Sequence, residues 1–311
     1  MTAKVCIIAT IKAPLRETIC FVNYHLNLGI DGIILFLDDP EDPAAEALSD
    51  YIRVQAIKCD NAYWTSRRIE VPATSVLRQT LNVNYGIKLA GKIGFDWAIY
   101  IDGDELLMPD GDIKSILAQQ TVDVVRFAMK EAVSEKDRYE NIFEATLFKE
   151  RVTTENRSRM ELAYSMARDG AFFEGEYLRG HSDSKVAVRI NSNIEWMGSH
   201  RPVRPKMAEV GTDRITLLHY DCVGIDAWKT KWINRLDQPG VETWARPNRV
   251  RQFELFKKAY GNAAEELALF SRLHKISDHD KRVLVQYGLL TVITLPHEMF
   301  ERPKRRVQPV A

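Results

Sequence analysis

The segment 96–109, with the sequence DWAIYIDGDELLMP, constrains the fold more than any other part of the chain. Its apolar run 98–101 is short and contains β-branched side chains, which predicts a buried strand. The run leads directly into three acids, Asp102, Asp104 and Glu105. The sequence therefore places three carboxylates at the end of one buried strand.

These acids have the spacing of a site for a divalent cation. In extended backbone Asp102 and Asp104 point to one side and Glu105 to the other, while Gly103 lets a ligand approach the main chain. Two carboxylates can share Mg²⁺ or Mn²⁺, which keeps its other positions for phosphate oxygens and water. Asp-Gly is also an ordinary turn signal, and acids after a strand are often a solvated loop. The apolar residues on both sides favour the metal, because carboxylates wedged between apolar segments need a partner.

The composition limits the class of partner and the compartment. The 311 residues suffice for a sizeable core, and 43 basic side chains balance 43 acidic ones. Nothing in this balance favours nucleic acid, so an anionic ligand must meet local cations. Four scattered cysteines without metal-ligand spacing predict buried thiols in a reducing compartment. We see no secretory leader and no apolar run of membrane-spanning length, and expect a cytoplasmic protein without a transmembrane segment.

Strands and helices alternate along the first 130 residues. Apolar runs predict strands at 5–10, 32–37, 52–58, 98–101 and 122–129, and helical periods predict helices at 15–29 and 76–91. This order predicts the α/β class, with a mainly parallel sheet flanked by helices. Ligands of such sheets bind beyond the C-terminal ends of the strands. The polar residues expected at that edge are Lys12, Asp38, Asp39, Asp102 and Asp104.

Three features of the second half bear on this site. The charged segment 131–168 is either an excursion that covers the site or a solvated surface insertion. His219 closes an apolar run, where a lone histidine is more often packed core, yet neutral imidazole is also a good ligand for Mn²⁺ beside carboxylates. Lys229 and Lys231 would either neutralise a departing diphosphate or lie on a solvated helix face.

The same patterns divide the chain into two predicted domains. Residues 1–225 hold the motifs and would form the catalytic domain. Residues 226–311 show helical periods broken by proline and glycine, which predicts a helical C-terminal extension. Its last part, 302–311, holds few apolar side chains and predicts a disordered basic tail. Peripheral contact of this tail with an anionic membrane would contribute only about 1 kcal/mol per cation.

The order of these motifs resembles a known family. The residues that carry the resemblance are Phe21, Val22, Tyr24, His25, Leu28 to Asp31, Ile33 to Asp39, Asp96, Trp97, Ile101 to Leu106, Gly180, His181, Lys185, Val188, Arg189, His200, His219 and Tyr220. Over roughly residues 4–235, the chain resembles the family 2-like glycosyltransferases of the GT-A fold, in particular the bacterial branch related to family 92. It departs from them after the first strand, where Lys12-Ala13-Pro14 replaces Lys-Asn-Glu and Glu17 stands further on, and at Ser184, where glycine is usual.

The resemblance implies a nucleotide-sugar donor and a metal. Asp102 and Asp104 would hold Mn²⁺ or Mg²⁺ against the donor diphosphate, and His219 would complete metal or diphosphate binding. Asp38 or Asp39 would lie near the nucleotide. The remaining donor-binding candidates are Lys12, Lys185, Arg189, Lys229 and Lys231.

The implied reaction is metal-dependent glycosyl transfer to an acceptor hydroxyl of a glycan, a lipid-linked sugar or a small molecule. The metal and nearby cations would stabilise the departing nucleoside diphosphate. An inverting enzyme also needs a carboxylate that deprotonates the acceptor. Glu174 and Asp169, beside Phe172 and Phe173, are the candidates for this base.

Two other functions stay open at this point. A nucleotidyltransferase or phosphotransferase could use a similar sheet, but such enzymes usually carry a glycine-rich phosphate loop after the first strand, and residues 11–15 contain no glycine. A non-catalytic sugar- or nucleotide-binding module would keep the fold without turnover.

Overall fold

The computed structural model describes residues 2–166, 177–180, 183–236, 238–241 and 245–303. The chain divides into two compact units, and each is built from separated stretches of sequence. Unit 1 comprises residues 1–127, 185–215 and 295–311, and unit 2 comprises residues 128–184 and 216–294. The chain therefore passes between the units four times.

Unit 1 contains the parallel strands that the apolar runs predicted. Its strands are β1 (Val5–Ile11), β2 (Gly32–Leu37), β3 (Val54–Lys58), β4 (Trp97–Tyr100), β5 (Glu105–Pro109), the first part of β6 (Val124–Ala132), β8 (Val186–Arg189), β9 (Trp196–Met197), β10 (Pro202–Arg204) and the first part of β11 (Val210–His219). The order β3-β2-β1-β4 is parallel throughout. Every residue of β1, β2 and β4 is buried, as expected for strands covered on both faces.

Helices fill the connections between these strands. They are α1 (Leu15–Asn27), α2 (Ala44–Ala47), α3 (Asn61–Thr65), α4 (Ser75–Ile93) and α5 (Ile113–Ala118), with a 3₁₀ turn at His297–Phe300. Gly94 ends α4 in a left-handed conformation, φ 92°, which suits glycine. Inside α4, Gly86 lets the helix lie against β1, because a Cβ there would come within 2.7 Å of Ile8.

The predicted α/β class with a parallel sheet flanked by helices is confirmed. Strand β2 has the predicted bounds, and β1 extends the predicted strand by one residue. The strand β8 joins the sheet antiparallel, between β4 and β6. The strand β5 was not predicted, because only two residues, Gly103 and Asp104, separate its first residue from Asp102.

Unit 2 combines a strand group with helices. Its elements are the second part of β6, a 3₁₀ turn at Ile142–Glu144, β7 (Leu147–Glu150), α6 (Arg157–Met166), the second part of β11, α7 (Gly224–Leu236), α8 (Pro247–Ala259), α9 (Ala263–His274), α10 (Asp278–Gln286) and β12 (Leu290–Val292). β6 pairs with β7 and β7 with β12, both antiparallel. Trp228, Trp232, Phe253, Phe256 and Phe270 form much of its helical core.

The structure settles part of what segment 131–168 does. Ile142, Phe143, Leu147 and Phe148 are all buried, so residues 142–148 belong to the core of unit 2. The interpretation of the whole segment as a solvated insertion is therefore wrong. Its charged members include Glu131 and Lys149, which are 1% and 2% exposed.

Other expectations are tested only in part. Cys6, Cys59 and Cys222 are buried free thiols as predicted, while Cys20 is half-buried. Arg302, the first residue of the predicted tail, pairs with Asp50 at 2.5 Å, and residues 304–311 lie outside the described residues. Among the residues that the structure describes, no helix is both long and apolar enough to cross a membrane. The predicted domain boundary at residue 225 stays a prediction.

A buried histidine of unit 1 predicts an acid-sensitive fold. His25 is 0% exposed, its Nδ1 lies 2.8 Å from the Phe21 carbonyl oxygen, and its Nε2 accepts the Leu107 N–H at 3.3 Å. Burial lowers the pKa of His25 to about 3, against a partial opposite effect of the Phe21 carbonyl. Below about pH 6.5 the unfolded chain binds a proton at this ring and the folded chain does not, so acidification lowers the free energy of unfolding.

We expect this loss to be about 1.4 kcal/mol per pH unit between pH 6 and pH 4. Urea titrations at both values should show a decrease about 2.5 kcal/mol smaller in His25→Gln than in the wild type. His297→Gln is the matched control, because the His297 side chain is 90% exposed. Equal pH dependence in His25→Gln and wild type would contradict a neutral buried imidazole.

Candidate functional site

The carboxyl ends of the four parallel strands bring several predicted residues to one edge of unit 1. Lys12 directly follows β1 and Asp38 directly follows β2. Asp60 caps α3 just after β3, and Asp102 lies two residues after the end of β4. The register pairs Ile11 with Leu37 and Leu37 with Lys58, so these strands end side by side. This is the edge at which open α/β sheets bind their ligands.

The acidic triplet forms a turn at this edge. Its ends are joined by the Glu105 N–H, which donates to the Asp102 carbonyl oxygen at 3.1 Å. The expectation of extended backbone was therefore wrong, and the Asp-Gly turn signal was the better guide. Gly103 lies against β1, because a Cβ at this position would come within 2.9 Å of Ile11. This packing alone accounts for a glycine at this position, and the approach of a ligand to its main chain stays a prediction.

A buried lysine lies between two of the three acids. Lys185 Nζ is 2.8 Å from Asp102 Oδ2 and 3.9 Å from Glu105 Oε2, and it donates to the Ser199 carbonyl oxygen at 3.0 Å. The side chains of Lys185 and Glu105 are 1% and 0% exposed, whereas that of Asp102 is 23% exposed. The Asp102 carboxylate is thus the member of this group that solvent reaches.

Burial and neighbouring charge shift the pKa values of this group. Burial, opposed by Lys185, raises the pKa of Glu105 well above its usual range. Burial alone would lower the pKa of Lys185, but Asp102 and Glu105 outweigh it, and the pKa is raised. Lys185 is therefore a permanent cation at the end of β4.

Further contacts orient the Asp102 carboxylate. Glu105 Oε2 accepts the Asp102 main-chain N–H at 2.7 Å. Asp102 Oδ1 lies 3.4 Å from Gln79 Nε2 and 3.3 Å from the Tyr100 hydroxyl. Gln79 comes from α4, next to Arg78, so one helix contributes to the surroundings of both Asp102 and Asp38.

A cavity of about 460 Å³ opens beside the ends of β2 and β3. Its lining includes Asp38, Glu41, Asp60, Ala62, Trp64 and Arg78. Arg78 donates two hydrogen bonds to Asp38, from Nε to Oδ1 at 2.6 Å and from Nη2 to Oδ2 at 2.8 Å. The cavity has the size of a small-molecule pocket and carries fixed groups of both charges.

The other predicted donor-binding residues of unit 1 are Lys12, Asp39 and Arg189. Lys12 is exposed after β1, and Asp39 accepts the Glu41 N–H within its own loop. Arg189 lies opposite Trp97, at the start of β4 and thus away from Asp102. Its guanidinium is engaged by Asp123 at 3.0 Å and by the Gln120 carbonyl at 2.8 Å. The structure brings Asp38, Asp102 and Lys185 to the strand ends, but not Arg189.

The predicted residues of unit 2 include a histidine and two lysines. His219 ends β11 and is 2% exposed, and one of its ring nitrogens lies within 4.8 Å of a carboxylate oxygen of Asp221. Lys231 pairs with Asp221 and Lys229 pairs with Glu266. Arg249 Nη1 also donates to Asp221 at 3.0 Å. Burial would raise the pKa of Asp221, but Arg249 and Lys231 hold it well below the usual range.

The candidate bases and the proposed metal pairing stay predictions. Asp169 and Glu174, the candidate bases, lie outside the described residues. The pairing of Asp104 with His219 at one metal joins a residue of unit 1 with one of unit 2, and it stays a prediction.

Sequence reasoning missed several polar residues near these groups. The omissions in unit 1 are Asp60, Gln79, Arg78 and the structural role of Glu105, and those in unit 2 are Glu131, Lys149, Asp221 and Arg249. A signal existed for Asp60, which follows the end of a predicted strand as Asp38 does. Gln79 and Arg78 gave none, because a polar residue in a helix predicts only a solvated face.

Comparison with known proteins identifies two curated relatives. No family model matches the chain. Two curated proteins of Arabidopsis thaliana, both described as glycosyltransferase-like, are each 24% identical to it. The alignments cover 94% and 70% of this chain, but the chain spans only 62% and 53% of the length of these relatives. This chain is therefore similar to part of two glycosyltransferase-like proteins.

Solved structures show weaker likeness. TarS of S. aureus superposes with a TM-score of 0.38 at 10% identity, covering 91% of this chain and 78% of TarS. HddC of Yersinia pseudotuberculosis superposes with a TM-score of 0.37 at 13% identity, covering 73% of this chain and 97% of HddC. The α/β assignment therefore rests on the strand order and register described above.

The buried lysine gives a prediction on stability. Lys185→Met should lower the free energy of unfolding by about 3 kcal/mol, because the Asp102 carboxylate and the Ser199 carbonyl oxygen lose their buried charged partner. The measurement is urea denaturation of the variant and the wild type at neutral pH.

Lys114→Met is the matched control for this measurement. Lys114 pairs with Asp31 at 3.1 Å, with both side chains more than a quarter exposed, so its removal should cost about 0–1 kcal/mol. A loss for Lys185→Met no larger than that of the control would refute the role given to the buried ion pair.

Proposed function

We propose that this protein is a metal-dependent glycosyltransferase that moves a sugar from a nucleoside-diphosphate sugar to an acceptor hydroxyl. The observation that carries the proposal is the solvent-reached Asp102, oriented by a buried lysine at the carboxyl end of β4 and close in sequence to Asp104. The similarity to glycosyltransferase-like proteins supports the reaction class. The acceptor we propose is a glycan, a lipid-linked sugar or a small molecule.

The nucleoside of the donor would occupy the cavity at the ends of β2 and β3. Its acids, Asp38, Glu41 and Asp60, offer acceptors for ribose hydroxyls or base N–H groups, and its volume of about 460 Å³ suits a nucleoside. The donor diphosphate would then extend along the sheet edge toward Asp102 and Lys185. Lys185 supplies positive charge there at every physiological pH.

The available donor atoms fit Mn²⁺ or Mg²⁺. We propose Asp104 and His219 as ligands, with Asp102 contacting the donor or the metal. Carboxylate and imidazole donors suit Mn²⁺ in particular. Asp221 fits less well, because Lys231 and Arg249 already neutralise its carboxylate. When bound, the cation would stabilise negative charge on the departing nucleoside diphosphate.

The protein's own residues would supply the remaining parts of the reaction. Lys185 orients the Asp102 carboxylate through a 2.8 Å bond, so this side chain needs little rearrangement when the donor binds. Lys185, Lys229 and Lys231 are each engaged by a carboxylate, and the side chains of Lys229 and Lys231, 33% and 24% exposed, are more accessible than that of Lys185, which is 1% exposed. For the acceptor proton, Glu174 and Asp169 stay the proposed bases.

Asp104→Asn tests the metal-dependent step. This variant should lower Mn²⁺-dependent release of nucleoside diphosphate by about 100-fold or more, because it removes a charged ligand from the cation. Asp110→Asn is the control, since Asp110 is an exposed acid just after β5. Unchanged release by Asp104→Asn would remove the acidic triplet from the reaction, and pyrophosphate as the product would indicate a nucleotidyltransferase instead.

Ala62→Trp tests where the nucleoside binds. Ala62 is an exposed residue of α3 in the cavity wall, so an indole there should fill the space without disturbing the core. In a panel of nucleotide sugars tested at one concentration, the donor should stabilise the wild type. At a hundredfold its dissociation constant the stabilisation should be about 2.7 kcal/mol. This thermal stabilisation should disappear in Ala62→Trp.

Thr65→Trp serves as the control for Ala62→Trp. Thr65 is exposed on the same helix and is not part of the cavity lining. Equal stabilisation of both tryptophan variants by the donor would show that the nucleoside binds elsewhere.

A further inference from the structure

Unit 2 contains a group of buried charged side chains that the proposed function does not use. Glu131, Lys149 and Arg249 are 1%, 2% and 9% exposed. Two of them come from the paired strands β6 and β7 and the third from α8. All three converge on the short segment 177–180, which has no regular secondary structure.

These side chains bind the main chain of that segment. Glu131 accepts the N–H groups of Arg179 and Gly180, both at 2.7 Å. Lys149 Nζ donates to the Tyr177 carbonyl oxygen at 2.8 Å and lies 2.7 Å from Glu131 Oε1. Hydrogen bonds to charged groups are stronger than those between neutral groups, and the main chain of this segment takes part in three of them.

Arg249 connects the same segment with the end of β11. Its Nη1 donates to the Arg179 carbonyl oxygen at 2.9 Å and to Asp221 Oδ2 at 3.0 Å. Asp221 follows His219 by two residues. One guanidinium therefore fixes both segment 177–180 and the chain that carries the histidine.

Gly180 is the point at which this segment meets His219. A Cβ on Gly180 would lie 2.5 Å from His219 Cε1, 3.0 Å from its Nδ1 and 2.9 Å from Glu131 Oε2. The imidazole edge therefore occupies the space that any larger residue would need. Segment 177–180 forms a wall against which the ring lies.

Simple packing would not require charged residues here. A buried ion pair is often no more stabilising than well-packed apolar side chains, because both charges must leave water. Such groups do hold main-chain donors and acceptors at defined positions, as residues around metal-ligating histidines commonly do. The arrangement thus favours a positioning role over a purely stabilising one.

We propose that Glu131, Lys149 and Arg249 are positioning residues that hold segment 177–180 and, through Gly180, fix the orientation of the His219 imidazole toward its ligand. The ligand class is a divalent cation or the oxygens of a diphosphate. The role of His219 as a ligand rests on the proposed function. The fixed orientation of its ring does not depend on that function.

The first experiment measures binding of the metal alone. Gly180→Ala should raise the Mn²⁺ concentration needed for half-maximal thermal stabilisation by about 10- to 100-fold, the usual loss of metal affinity when residues around a ligand are disturbed. In a His219→Ala background, Gly180→Ala should cause no further loss. Gly211→Ala is the control, because a Cβ at that exposed position comes no closer than 3.7 Å to another atom.

The second experiment observes the ring directly. In ¹H–¹⁵N spectra of the imidazoles, the signal lost in His219→Ala identifies one of the seven histidines. That signal should shift or broaden in Gly180→Ala and in Glu131→Gln, but not in Gly211→Ala. Glu131→Gln keeps the shape of the side chain and allows the same test if Gly180→Ala does not fold.

The outcomes separate the two proposals. An unchanged His219 signal in both Gly180→Ala and Glu131→Gln would overturn the positioning role. A shifted signal, together with wild-type Mn²⁺ stabilisation of His219→Ala, would support the positioning role and remove His219 from the proposed metal ligands.

Discussion

A lysine ammonium buried beside two carboxylates is the interaction on which the candidate site of unit 1 depends. Lys185 compensates Glu105, which is 0% exposed, and at the same time fixes Asp102 at the solvent boundary. Without this cation the Asp102 carboxylate and the Ser199 carbonyl oxygen would lose their charged partner at the end of β4, which is unfavourable. The binding groups are therefore oriented by the same contacts that make the strand end stable.

The antiparallel entry of β8 explains how the lysine reaches that position. β4 runs toward the acids, and β8 begins beside its end, with Ile99 paired to Ala187. A parallel strand would have brought its first residues to the opposite edge. Arg189, only four residues after Lys185, is carried about 13 Å away at the usual rise per residue. Their closeness in sequence thus could not show that Lys185 lies beside Asp102 while Arg189 lies at the other end of β4.

The sequence predicted the parallel part of the fold well, because buried strands such as β1 and β2 are uninterrupted apolar runs. It also predicted that acids would follow these strands, as Asp38 and Asp102 do. At Gly103 the expected alternation of side chains was wrong, since alternation holds only in extended backbone, and the Asp-Gly turn signal was correct. Glu131 and Lys149 were missed for another reason. Charged residues in a strand usually indicate a solvated face, and only their partners, which are distant in sequence, reveal that they are buried.

The interleaved course of the chain limits how this protein can be divided. Unit 1 draws on three separate stretches of sequence and unit 2 on two. A fragment ending at residue 225 would lack nearly all of α7 and the whole of α8, α9 and α10 of unit 2. It would also lack residues 295–303 of unit 1. Asn27 would then lose the three carbonyl partners, Glu298, Met299 and Glu301, that its amide now reaches. Dissection by truncation is consequently unsuited to this architecture, and point substitution within the intact polypeptide is the appropriate way to assign roles.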